Sequence, residues 1–136
     1  MIIVYAYAVC DVLHSGHLDH FERAKGLGDK LIVGVLTNKA VMEKKPEPTL
    51  DYNERARIVK SLRWVDIVVP QDTYSPLENV IKLRPDILTE SSNHIEQPAN
   101  EFMISIGGRV IELPYYEGLS STKIKKRILE NYKCQE

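Results

Sequence analysis

The chain has 136 residues, of which 43% are hydrophobic and 27% are charged. Its length suits one domain, residues 1–136, and its composition is that of a folded globular protein rather than a disordered chain. Its 18 basic and 19 acidic side chains leave a formal net charge of -1, so no general basic surface exists for nucleic acid or an anionic membrane. Any anion that the chain binds must therefore be held by a local site.

The ends of the chain suggest where the protein resides. No apolar stretch approaches the roughly 20 residues that span a membrane, and the first residues lack the basic start of a signal peptide. The two cysteines, Cys10 and Cys134, lie at opposite ends of the sequence, which fits a reduced protein better than a disulfide scaffold. We therefore expect a cytoplasmic location.

Five short apolar runs, rich in β-branched residues, alternate with longer amphipathic stretches. The runs are too continuous for strands with one wet face, so they predict buried parallel strands. These predicted strands are residues 2–9, 31–36, 66–69, 86–89 and 109–113. The alternation predicts an α/β fold, a Rossmann-like, doubly wound parallel five-stranded sheet with helices on both faces.

The amphipathic stretches predict five helices. The first ends at Gly28, and the second and third open with capping-box arrangements that begin at Asp51 and Ser75. The fourth begins near position 98, and the fifth is capped by Ser120 or Ser121. Residues 38–50, which are rich in lysine and proline, are expected to form a mobile surface loop near a site.

The turn after the first strand places His14 and His17 at the start of a helix. In doubly wound sheets, ligands bind outside the carboxyl ends of the strands. Gly16 lets a ligand approach the backbone, and both imidazoles can donate N–H groups to a phosphate beside the helix start. The turn therefore predicts an anion site, with simple capping and packing as the alternative. Too few further ligands lie nearby for a metal site.

A second candidate site is the hydroxyl-rich turn that runs into the last helix. Its N–H groups and hydroxyls can hold another phosphate region, although simple helix capping gives the same pattern. The turn comprises Gly118, Leu119, Ser120, Ser121 and Thr122.

Together these motifs resemble those of the HxGH nucleotidylyltransferases, and in particular the small glycerol-3-phosphate cytidylyltransferases. The residues from His14 to His17 match the first motif, and Asp11 matches the aspartate that precedes it. The residues from Glu117 to Thr122 match the second motif. Several segments also resemble the cytidylyltransferase domains of phosphonate pathways.

The resemblance implies transfer of CMP from CTP to a small acceptor bearing phosphate or phosphonate, with release of pyrophosphate. It implies His14, His17 and Lys45 as catalytic residues, Mg²⁺ bound with the nucleotide, and a homodimer for which Trp64 is an interface candidate. Glu90, Asn93 and His94 are predicted contacts of the acceptor or the base. The nucleotide contacts that it implies are Val9, Cys10, Asp11, Ser15, Gly16, Lys44, Arg55, Tyr115, Glu117, Gly118, Leu119, Ser120, Ser121 and Thr122.

The chain departs from the family pattern at four places, one of which is the absence of the usual acceptor lysine from residues 71–77, after the third strand. Val9 and Cys10 replace a Thr-Phe pair, Tyr115 replaces an arginine, and residues 90–94 replace an acidic segment that contains tryptophan. We therefore expect an acceptor other than glycerol 3-phosphate. Two alternatives remain open: an ATP-dependent adenylyltransferase that resembles archaeal FAD synthetases, and a nucleotide-binding module that has lost catalysis.

Overall fold

The structure is a computed structural model that describes residues 1–91, 98–114 and 116–133. Within these residues no helix is both long and apolar enough to cross a membrane. The elements, in chain order, are β1 (Ile3–Ala8), α1 (Ser15–Lys25), β2 (Lys30–Leu36), α2 (Asn38–Val41), α3 (Tyr52–Lys60), β3 (Ile67–Gln71), α4 (Leu77–Leu83), β4 (Ile87–Ser91), α5 (Pro98–Ser105), β5 (Arg109–Leu113) and α6 (Ser121–Lys133).

The strands form one parallel sheet in the order β3-β2-β1-β4-β5. The chain first builds outward from β1 to β3 and then returns to place β4 on the other side of β1. The point where the order reverses therefore lies between β1 and β4. The prediction of a doubly wound, Rossmann-like parallel sheet with five strands is confirmed.

Helices cover both faces of the sheet, which is why the central strands β1 and β2 are mostly apolar. Residues 31–36 of β2 are all buried. On one face, Val33 packs in a core with Phe21 of α1 and Val59 of α3. On the other face, the core contains Leu88 of β4, Val80 of α4 and Met103 of α5.

Several helix boundaries differ from those predicted. Helix α1 ends before Gly26, its C-cap, rather than at Gly28. Asp51 is the N-cap of α3 as predicted, but its side chain makes no capping hydrogen bond. Helix α4 begins at Leu77 and not at Ser75, whose hydroxyl instead accepts the Leu77 N–H at 3.2 Å. Part of the expected loop at residues 38–50 is the short helix α2.

Helix α6 shows an apolar surface that the described part of the chain leaves uncovered. None of its residues is buried. Ile128, Leu129 and Tyr132 are 59%, 55% and 66% exposed, although their spacing is that of a buried helix face. The first turn of α6, in contrast, contacts the body of the domain through Ser121.

Candidate active site

A cleft of about 870 Å³ lies at the carboxyl ends of β1 and β4. This is the position where the strand order reverses and where ligands of doubly wound folds bind. The volume falls within the range of small-molecule sites. The start of α1, the loop after α2 and the first turns of α6 line the cleft. A smaller cavity at the opposite end of the strands, near Asp86 and Gly108, holds none of the predicted site residues.

The two histidines of the first motif line this cleft with their ring centroids 4.3 Å apart. Nδ1 of His14 accepts the backbone N–H of Gly16 at 2.9 Å, and Nδ1 of His17 accepts the backbone N–H of His14 at 3.2 Å. A ring nitrogen that accepts a hydrogen bond has no proton, so each neutral ring has its proton on Nε2. Two Nε2–H donors therefore stand at the start of α1.

Both histidines are uncharged at neutral pH in this environment. Burial, with smaller contributions from His14 and His20, lowers the pKa of His17 to about 4. Burial also lowers the pKa of His14. A bound polyanion would favour the charged rings, which strengthens their hydrogen bonds to phosphate oxygens.

Gly16 is required by the ring of His14 rather than by an unusual backbone angle. A Cβ atom at Gly16 would lie 2.6 Å from Cε1 and 2.9 Å from Nδ1 of His14. It would also lie 3.1 Å from Cδ1 of Tyr116. The missing side chain therefore makes room for His14 in its observed position.

Asp11 joins three parts of the site. Its side chain is buried, and its carboxylate accepts the backbone N–H groups of Thr49 at 2.9 Å and Leu50 at 2.8 Å. Nζ of Lys125, from α6, forms an ion pair with the same carboxylate. Burial alone would raise the pKa of Asp11, but Lys125 and the two N–H groups hold it below its ordinary value. The end of β1, the loop before α3 and helix α6 are thus connected.

Arg55 supports the site from beneath. It is fully buried, and its guanidinium donates to the carbonyl oxygens of Val9 at 2.7 Å, Leu36 at 2.6 Å and Leu50 at 2.8 Å, and to Oδ1 of Asn38 at 2.7 Å. The structure therefore gives Arg55 a supporting position, and its contact with a nucleotide stays a prediction. It fixes the ends of β1 and β2 to the base of the loop.

The structure distinguishes the two candidate lysines. Lys45 lines the cleft. Nζ of Lys44 instead lies 4.9 Å from the centroid of the Tyr74 ring, and Lys44 is outside the cleft lining. Lys45 is therefore the lysine of this pair that lines the cleft.

The second motif both caps α6 and lines the cleft. The Ser120 hydroxyl accepts the Lys123 N–H at 3.1 Å, and the Ser121 hydroxyl donates to the Val12 carbonyl at 3.0 Å. The two interpretations of this turn are thus compatible. Gly118, with a φ of 102°, makes the turn that brings these hydroxyls to the cleft.

The predicted site residues divide into three groups. Outside the cleft lining are Ser15, Lys44, Arg55, Glu90, Glu117 and Gly118. Outside the described residues are Asn93, His94 and Tyr115, as is Cys134. Those that line the cleft are Val9, Cys10, Asp11, His14, Gly16, His17, Lys45, Leu119, Ser120, Ser121 and Thr122.

Two of the predicted site residues, one in the cleft lining and one beside it, have unusual environments. Cys10 lies in the cleft wall with a positive φ of 58°, and burial raises the pKa of its thiol to about 12. Glu90 is buried beside the cleft, where the hydroxyl of Tyr7 donates to its Oε2 at 2.6 Å. Burial raises the pKa of Glu90 to about 7.

The sequence interpretation missed other residues of the cleft. Lys125 and His20 are part of its lining, as are Thr89 and Ser91 at the end of β4. The signals were helical spacings, since His20 follows His17 by three residues and Lys125 follows Ser121 by four. Within the described residues no group of three or more metal-ligating side chains converges.

A cleft lined by histidines, lysines and hydroxyl groups at the switch point of a Rossmann-like sheet is typical of the nucleotide-binding α/β transferases. Residues 6–127 match the family described as Cytidylyltransferase-like, and the chain belongs to this family. The resemblance to the HxGH nucleotidylyltransferases is confirmed, and with it the assignment to nucleotidyltransferase enzymes.

Curated relatives include the Bifunctional protein HldE of Pelobacter propionicus, 34% identical over 96% of this chain, and that of Magnetococcus marinus, 35% identical over 93%. The chain spans about a quarter of the length of these relatives, 28% and 27% respectively.

Solved structures share the fold. A lipopolysaccharide core biosynthesis protein from Thermoplasma volcanium is 27% identical, with a TM-score of 0.74 over 88% of this chain and 99% of the other. Pantothenate synthetase from Thermus thermophilus is 16% identical, with a TM-score of 0.60 over 93% of this chain and 64% of the other, which is a likeness of fold alone.

Proposed function

We propose that this chain transfers a nucleotidyl group from a nucleoside triphosphate to a small acceptor that bears phosphate or phosphonate. CTP is the first candidate donor. The observation that supports this best is the convergence of His14, His17, Lys45 and Lys125 with the hydroxyl-rich start of α6 around one cleft. Such a set of donors and cations complements a triphosphate.

The reaction would be an in-line displacement. An acceptor oxygen attacks the α-phosphorus, and a new P–O bond forms there. The bond from that phosphorus to the bridging oxygen breaks, and pyrophosphate leaves with the electron pair. No covalent enzyme intermediate is needed, because transfers of this kind depend on positioning and on stabilising charge on the phosphoryl oxygens.

The residues have separate tasks in this proposal. The Nε2–H groups of His14 and His17 donate to the oxygens where charge develops, and Lys45 and Lys125 offset the charge of the departing pyrophosphate. Mg²⁺ would arrive on the phosphate oxygens, as it does with nucleotides generally, and would add charge neutralisation. The cleft suits this arrangement because its described residues supply N–H donors and cations rather than a converging set of metal ligands.

The identities of the acceptor and of the nucleotide base are further parts of the proposal. A phosphonate or polyol phosphate is the first choice, and the likeness to the Thermoplasma lipopolysaccharide core biosynthesis protein adds sugar phosphates to the compounds worth testing. ATP is the second candidate donor, because the turn from His14 to His17 also resembles that of the archaeal FAD synthetases. We also propose a homodimer, with the half-buried Trp64 and its stacked Arg63 as interface candidates.

Thermal shifts with CTP, ATP, GTP and UTP, each with magnesium, test the donor, because a ligand of the native state raises the melting temperature. Pyrophosphate release with an acceptor panel then tests catalysis. K45Q should weaken triphosphate binding, whereas K44Q, a matched change one residue away, should not. The absence of a shift with every nucleotide would refute the proposal, and binding without pyrophosphate release across the panel would support a module that has lost catalysis.

A further inference from the structure

One part of the cleft is not explained by binding a triphosphate. His20 lines the cleft beside β4, and its Nε2 lies 3.0 Å from Oγ1 of Thr89. Ser91, two residues further along β4, lines the same region. We propose that His20, whose ring is positioned by the buried hydroxyl of Thr89, binds the phosphate or phosphonate group of the acceptor, an inference that rests on the proposed nucleotidyl transfer.

The direction of the reaction supports this position. Lys45 belongs to the loop between α2 and α3, which follows β2, and Thr49 of this loop donates its N–H to Asp11 after β1, so this cation lies on the β2 side of β1. Pyrophosphate is therefore expected to leave on that side. An in-line displacement requires the attacking oxygen to approach opposite the leaving group, which is the side of β4 and His20.

The distance from the reacting centre is also suitable. His20 follows His17 on α1 by three residues, a spacing that puts Cβ atoms about 5–6 Å apart on one helix face. One oxygen of a phosphate group at this distance can accept a hydrogen bond from the His20 ring. Another oxygen of the same group then faces the nucleotide at His17. The acceptor would then lie on the floor of the cleft, above the contact between His20 and Thr89.

The charges around His20 determine how its protonation responds to a bound anion. Burial lowers the pKa of His20 to about 4, while Asp19 on the same helix acts in the opposite direction. Thr89 faces the ring from β4, and His17 is its charged neighbour on α1 when protonated. In the described cleft lining Lys45 and Lys125 are the cations, which oppose a further positive charge, and Asp11 and Glu47 are the anions. A phosphate at His20 would favour protonation of this ring.

The direct test follows the histidine rings by NMR, with ¹⁵N-labelled histidine and the H20Q variant to assign the signal of His20. A nonhydrolysable triphosphate analogue, with the base chosen by the thermal shifts, first fills the nucleotide site. Inorganic phosphate is then added as the smallest acceptor group. We expect His14 and His17 to respond to the analogue, and His20 to respond to phosphate.

Kinetics supply the second test, with glycerol 3-phosphate, 2-aminoethylphosphonate and glucose 1-phosphate as acceptors. In H20Q and T89V, the acceptor KM should rise about tenfold to a hundredfold, the loss expected for a charge-assisted hydrogen bond, while the triphosphate KM stays unchanged. Glu22, exposed on the same helix, provides the matched control E22Q. T89V nearly preserves side-chain shape, which guards against a folding defect in H20Q.

The outcomes separate the two proposals. If His20 responds to the triphosphate analogue alone, or fails to respond to phosphate while His14 and His17 respond to nucleotide, the inference is overturned and the proposed function survives. A triphosphate KM that rises with the acceptor KM likewise overturns it. If no histidine responds to any nucleotide, the proposed function fails and the inference falls with it.

Discussion

Replacing Gly16 by alanine should reduce activity without much effect on stability. The new Cβ would lie 2.6 Å from Cε1 of His14, whereas carbon atoms in contact prefer about 3.5–4.0 Å. The imidazole must therefore move by roughly 1 Å, which it can do because it is the end of a side chain. A displacement of this size at a reacting centre costs on the order of a hundredfold in rate.

The stability terms of G16A nearly cancel. Moving the ring loses the hydrogen bond from the Gly16 N–H to Nδ1 of His14, a cap worth about 1 kcal/mol. Alanine in place of glycine within a helix raises the free energy of unfolding by up to about 1 kcal/mol. The net change should therefore stay within about 1 kcal/mol, or a few degrees in melting temperature.

The assay pairs thermal denaturation with initial rates of pyrophosphate release. Gly26→Ala, at the other end of α1, is the matched control, because its Cβ would meet nothing closer than 3.4 Å. A G16A enzyme with wild-type turnover would show that the His14 position is not critical. A fall of more than about 10 °C in melting temperature would show that the ring cannot move, which contradicts the reasoning in another way.

Three further predictions concern the histidines and the buried charges. H17N should lose about a hundredfold or more in turnover, and H17Q should retain more activity because its amide nitrogen reaches the position of Nε2; equal losses would contradict the assigned tautomer. R55K should lower the free energy of unfolding by about 3 kcal/mol, because a fully buried set of acceptors loses its planar donor, whereas R57K at the exposed neighbouring position should change it little in denaturant titrations. As the pH is lowered from about 6.5 to 4.5, stability should fall with a slope that approaches about 1.4 kcal/mol per pH unit at the lower end of this range. The reason is that the unfolded chain binds two protons, on His17 and His20, that the folded chain with pKa values of about 4 does not bind. The folded chain binds one proton, on Glu90 with a pKa of about 7, that the unfolded chain releases, so the net difference is one proton. A flat profile in urea unfolding across this range would argue against the burial of these rings.

The sheet was predictable because its signals are local and repeated. Continuous apolar runs indicate strands that are covered on both faces, and intervening amphipathic stretches indicate the helices that cover them. Helix ends were less predictable. Gly28 has the residue type of a helix terminator, but α1 had already ended with Gly26 as its C-cap.

The same distinction holds within the site. The turn from His14 to His17 is contiguous, so its chemistry could be predicted from four neighbouring residues. The pairing of Asp11 with Lys125 joins residues 114 positions apart, so no local sequence pattern predicts it. Arg55 follows two polar residues near the start of a helix and has the appearance of a surface arginine, yet strand ends converge on it and bury it completely.

The frame around the cleft is held largely through main-chain atoms. Arg55 binds the carbonyl oxygens of Val9, Leu36 and Leu50, and Asp11 binds the N–H groups of Thr49 and Leu50. Every amino acid supplies such carbonyls, and all but proline supply such N–H groups. Side chains at these positions can therefore be exchanged to alter which nucleotide or acceptor fits, while the geometry that presents the histidines stays in place. For redesign of specificity, Arg55 and Asp11 should be kept and the wall residues varied.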